Sequence, residues 1–64
     1  MRALITRFVT LDHRSSEVPI REVFEYEERD ELEKKCLSLI WLPGVVQVTA
    51  FRLSGELIVD YVRH

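Results

Sequence analysis

The fold turns on residues 45–64, VVQVTAFRLSGELIVDYVRH. β-Branched and aromatic residues flank a Ser-Gly pair, which is the signature of two antiparallel strands joined by a tight turn. A two-residue turn at Ser54 and Gly55 sets Phe51 opposite Ile58, Ala50 opposite Val59, Thr49 opposite Asp60, Val48 opposite Tyr61 and Gln47 opposite Val62. A strand with one wet side alternates apolar and polar residues. Here both alternating sets contain large apolar side chains. Val46, Val48, Ala50, Leu57, Val59 and Tyr61 form the set expected to face the core. The other set is Val45, Phe51, Leu53, Ile58 and Val62, diluted by Gln47, Thr49, Glu56 and Asp60.

Upstream, residues 29–42 carry a helical pattern. Leu32, Cys36, Leu39 and Ile40 recur at i, i+4, i+7 and i+8 and make one apolar stripe. Asp30 is the expected N-cap, and Glu31 and Glu33 precede Lys34 and Lys35 in the order that suits the helix dipole. Leu37 and Trp41 flank the stripe, as expected of a helix lying flat on a sheet. Pro43 and Gly44 end it.

Residues 2–27 predict a first hairpin around the polar turn DHRSSE. Folded symmetrically about Arg14 and Ser15, it pairs Leu11 with Val18, Val9 with Ile20, Arg7 with Glu22, Ile5 with Phe24 and Ala3 with Tyr26. Each pair is apolar or opposite in charge, as stable cross-strand pairs are. Pro19 cannot donate to a ladder, so its strand is expected at a sheet edge or with that position facing outward.

The elements sum to ββαββ, an α+β two-layer sandwich: one helix on a four-stranded, mostly antiparallel sheet made of two hairpins, in a single small domain. The pattern does not specify strand order; an antiparallel arrangement is preferred on frequency. One helix covers one side of such a sheet. The other side then displays Leu4, Thr6, Phe8, Thr10, Arg21, Val23 and Glu25 from the first hairpin and the second apolar set of the last one.

Composition narrows the function. The chain has 64 residues, 47% hydrophobic and 31% charged, which is too apolar for disorder. Domains this short fold marginally and often rely on disulfides, metals or association. Cys36 is the only cysteine, so no internal disulfide forms, and Cys36, His13 and His64 lack zinc-ligand spacing. No metal, cofactor or catalytic residue is expected. The net charge of −2 lacks the basic footprint of a nucleic-acid binder. No apolar run is long enough to span a bilayer, and MRALITRFVT does not resemble a secretory signal, so a cytoplasmic location is expected.

Asp12, His13 and Arg14 form the most site-like trio, yet neighbours in a turn rarely converge on one point, and a solvated turn is the expectation. Cys36 lies on the apolar helix stripe and is expected to be an inert core residue. The two glycines serve the helix stop and the hairpin turn, which leaves no phosphate-binding loop.

What remains is the open sheet face. Phe8, Val23, Phe51, Ile58 and Val62 are the expected partner-binding residues. A patch of a few hundred Å² is the size at which partner binding becomes common. The expected function is a non-enzymatic protein-interaction module, self-associating as a homodimer or binding another protein, with the size of phage or plasmid accessory and inhibitor proteins. Edge-to-edge strand pairing is the other dimer geometry. The alternative is a weak nucleic-acid binder using the sheet face, with Phe8 and Phe51 stacking on bases and Arg21 on phosphate.

Overall fold

The computed structural model describes residues 1–10 and 17–63. The turn residues 12–16, with Asp12, His13 and Arg14, and also Leu11 and His64, lie outside the described residues. The elements are β1 (Arg2–Thr10), β2 (Glu17–Glu25), α1 (Arg29–Ile40), β3 (Val45–Arg52) and β4 (Leu57–Val62). The four strands form one sheet in the order β2-β1-β3-β4, antiparallel at every pairing. This is the ββαββ sandwich that the pattern predicts. Among the described residues, no helix is long and apolar enough to cross a membrane.

The core lies between α1 and the inner side of the sheet. Leu32, Cys36, Leu39 and Ile40 of the helix meet Ala3, Ile5, Val45, Val48, Ala50 and Val59 of the strands. Ala3 and Ala50 are fully buried. Small side chains at the sheet centre let the helix approach, and the bulk of Ile5, Leu32 and Val48 fills the space around them. The helix packs mainly on β3 and β4 and also touches β1. It reaches β2 through Lys35, whose ammonium lies 4.0 Å from Glu22 and 5.8 Å from the centre of the Phe24 ring. Arg7 flanks the same Glu22 oxygen at 3.8 Å, so two cations lie beside an atom that has no hydrogen bond among the described residues.

The helix begins two residues earlier than Asp30 suggests. Glu28 is the N-cap, and its N–H donates to Glu31 Oε1 at 3.1 Å. Asp30 instead sits in the first turn, where its charge suits the dipole. After Ile40 the Leu42 N–H donates to Leu39 O, and Gly44 turns the chain with φ +83°.

The second hairpin pairs Ala50 with Val59, Thr49 with Asp60, Val48 with Tyr61 and Gln47 with Val62 as expected, while the first hairpin's register, the last turn and the face of Val45 differ. In the first hairpin Val9 pairs with Val18, Arg7 with Ile20 and Ile5 with Glu22, a shift of two residues. Side chains repeat every two residues, so the shift leaves every residue on its expected face. The Arg7–Glu22 attraction survives as a diagonal pair. The second hairpin closes through a three-residue loop, not two. The Gly55 N–H donates to Arg52 O and the Arg52 N–H to Glu56 O, with Gly55 at φ +103°. The additional loop residue is absorbed by a register shift after Ala50, which sets Phe51 opposite Leu57. Ile58 therefore packs against the core and Leu57 faces out. A second bulge between Phe8 and Val9 sets Val9 opposite Val45 and brings Val45, not Val46, into the core. An inserted residue inverts a period-two count beyond it.

Candidate functional site

The helix-free face is a grid of four columns, one per strand. One row crosses the whole sheet as Val23, Leu4, Phe51 and Leu57. The next row is Arg21, Thr6, Thr49 and Asp60, and the third is Pro19, Phe8, Gln47 and Val62. The rows are about 7 Å apart, two residues along each strand. The first row is wholly apolar. Its outer members are exposed, Val23 at 61% and Leu57 at 51%, and its inner members Leu4 and Phe51 are half-buried. Thr6 and Thr49, on the two central strands, are buried although the helix lies on the other side. Arg21 and Asp60 end the middle row at opposite edges. Gln47 Nε2 donates to Asp60 Oδ1 at 2.9 Å, which holds that carboxylate on this face.

Of the sequence-derived partner residues, Phe8, Val23, Phe51 and Val62 fall on this grid. Ile58 does not, and the correction follows from the β4 bulge that turns it inward. Leu57 takes its place. Among the described strands, Arg2 and Arg21 are the cationic side chains on this face. Arg7 lies on the helix side beside Glu22, Arg52 pairs with Glu56 at 3.4 Å, and Arg21 shares the face with Asp60 and Glu25.

A second feature, invisible in the strand pattern, lies on the other side of the sheet. Leu37 and Trp41 overhang β4 instead of joining the core, and Trp41 is 70% exposed. With Ile40 and Tyr61 they line a groove of about 290 Å³ between α1 and β4. The Arg63 guanidinium lies 5.4 Å from the Trp41 ring centre and donates from Nη1 to Leu42 O at 3.3 Å. Burial, then the Glu33 carboxylate, raises the Tyr61 phenol, so it stays protonated.

Among the described residues no cluster of three or more His, Cys, Asp or Glu side chains converges on one point. Cys36 is fully buried, and its thiol is pushed up from 9.0 to about 11, by burial first and then by the Glu22 and Glu33 carboxylates against the pull of Lys35. A thiol so held is a poor nucleophile near neutrality. Reagents are expected to label it only as fast as the chain opens. The unfolded thiol loses its proton first, so stability is intact below about pH 9 and falls as pH rises toward 11, by about 2 kcal/mol. Urea titrations across that range test this: the wild type should lose about 2 kcal/mol more than Cys36→Ala, which carries the shared contribution of the other groups that titrate there.

No protein-family model, curated protein or solved structure matches the chain.

Proposed function

We propose that the chain is a non-enzymatic interaction module that self-associates through the helix-free face of its sheet. The observation that carries this is the apolar row Val23–Leu4–Phe51–Leu57, which runs unbroken from edge to edge with no second layer over it among the described residues. A stable interface takes about 800 Å² from each partner, about one-sixth of the 4653 Å² surface of this chain. One whole face of a two-layer domain is of that order. Covering apolar surface returns about 25 cal/mol per Å², so a few hundred Å² yields several kcal/mol, comparable to the stability of so small a fold.

The charges favour one geometry. A two-fold axis lying between the sheets and parallel to the strands lays each row on its own copy and reverses the column order. Arg21 of one copy then faces Asp60 of the other, twice. An axis perpendicular to the strands sets Arg21 on Arg21 and Asp60 on Asp60, which repels. Both axes keep the strands of the two sheets roughly aligned, as face-to-face packing requires, so the charges make the choice.

Sedimentation equilibrium tests the proposal. The wild-type chain should show a concentration-dependent dimer. Val23→Asp changes a side chain that is exposed in the monomer, so the fold should persist while association weakens by a hundredfold or more. Arg21→Asp should weaken it about tenfold, and Asp60→Arg in the same chain should restore it. A monomeric wild type, or a dimer indifferent to Val23→Asp, refutes self-association through this face.

A further inference from the structure

The two edges of the sheet are unlike. Tyr26 and Met1 exchange backbone hydrogen bonds, 2.9 Å from the Tyr26 N–H and 2.8 Å from the Met1 ammonium. Bonding direction alternates along an antiparallel ladder, so in β2 the backbone groups of Glu17, Pro19, Arg21, Val23 and Glu25 point away from β1. Pro19 offers no N–H there, and the other outward positions are mostly charged. This edge is guarded in the usual manner of edge strands.

The β4 edge is not. The Arg63 N–H donates to Val46 O at 2.8 Å. By the same alternation Tyr61 and Val59 bond toward β3, and the N–H and C=O groups of Asp60 and Val62 point outward. One end of this edge is closed, because Arg29 Nη2 donates to Ile58 O at 3.1 Å and pairs with Glu33 at 3.4 Å. The open stretch is therefore short. It runs directly beside the groove of about 290 Å³ formed by Leu37, Ile40, Trp41 and Tyr61.

We infer that this edge and groove bind a short extended peptide from another protein, added as a fifth strand. Backbone bonds to Asp60 and Val62 would supply affinity, and side-chain pockets on the helix side would supply selectivity, which is the general logic of strand addition. The occupant's chemistry follows from β4. Tyr61 and Arg63 lie on the helix side, two residues apart, so they face two residues of the added strand that are also two apart. The residue opposite Tyr61 enters the apolar groove and is bulky and apolar. The residue opposite Arg63 is acidic, since a guanidinium stacked on Trp41 and bonded to one carbonyl keeps further donors for a carboxylate. A second copy of this chain fits less well. A stable dimer buries at least about 1,200 Å² in all, and this edge offers the backbone groups of two residues and a groove at the small end of the ligand-pocket range.

The test uses two blocked synthetic peptides, Thr-Thr-Leu-Thr-Glu-Thr and its reversed sequence, because the direction of the added strand is open. Binding to the full chain is followed by amide signals in ¹⁵N spectra. One of the two should bind with a dissociation constant below about 1 mM, shifting the Asp60 and Val62 signals and leaving those of β2 in place. Replacing its Leu with Ser should weaken binding tenfold or more, and so should Trp41→Ala in the chain, an exposed change that leaves the core intact. Arg63→Glu should weaken it about tenfold and be rescued by a peptide with Lys in place of Glu. Val23→Asp should leave peptide binding unchanged, which separates this site from the self-association face. If neither peptide moves Asp60 and Val62 at about 1 mM, the site does not exist. If Arg63→Glu has no effect, the acidic specificity is wrong. If Trp41→Ala lowers the sedimenting mass of the chain, the occupant is a second copy and the proposal falls.

Discussion

Leu32→Ala is expected to remove about 3–4 kcal/mol of stability and to leave little folded protein at 37 °C. Leu32 is fully buried at the end of the first turn of α1 and belongs to the cluster that joins the helix to the sheet. Truncation removes the transfer energy of three carbons and opens a cavity that a close-packed interior refills only in part. For a domain of this length the whole stability is of the order of 3–10 kcal/mol, so one such loss is a large share. Leu37 provides the comparison on the same helix. It is 44% exposed, and Leu37→Ala should cost under about 1 kcal/mol. Chemical denaturation followed by circular dichroism reads both. Equal losses at the two positions would mean that the helix does not present the stripe assigned to it.

Gly44→Ala is expected to cost about 2–3 kcal/mol, and Gly55→Ala about 1 kcal/mol. Both glycines have left-handed backbone angles, +83° and +103°, where a Cβ meets the following carbonyl. They differ in surroundings. A Cβ at Gly44 would lie 3.3 Å from Thr10 O and 3.3 Å from a Val9 methyl, while at Gly55 it would meet nothing within 4 Å. Gly44 also accepts hydrogen bonds from the Thr10 N–H at 2.9 Å and the Thr10 hydroxyl at 3.2 Å. The end of β1 is thus docked on the turn that leads from α1 into β3. A displaced Gly44 loosens a contact between distant parts of the chain, whereas a displaced Gly55 disturbs only its own loop. Matching midpoints for the two variants would contradict the tight packing at Gly44.

The open sheet face was largely legible before folding was considered. Phe8, Val23, Phe51 and Val62 alternate with residues destined for the core, and a single helix cannot cover both sides of a sheet. Ile58 was misplaced for a specific reason. A bulge leaves no mark on composition, and an inserted position reverses the face of what lies beyond it. The same effect exchanged Val45 and Val46. The groove beside β4 had no comparable signal. Leu37 and Trp41 sit at helical spacing next to the apolar stripe, and nothing local states whether they bury. That depends on the helix lying over β3 and β4 rather than over the sheet centre.

Local signals therefore determined which elements form, that Pro43 and Gly44 follow the helix, which side of β1 and β2 is apolar, and that Pro19 sits on an edge or faces outward. These are properties of neighbours along the chain, set by backbone sterics and by the two-residue and 3.6-residue repeats. Tertiary structure decided the order β2-β1-β3-β4, the two-residue register shift, the bulges and the offset of the helix. An apolar side chain records that it must be buried but not against what. The β1–β3 pairing joins Ala3 to Arg52 and Ile5 to Ala50 across most of the chain. Only the joint packing of the helix and all four strands selects such partners.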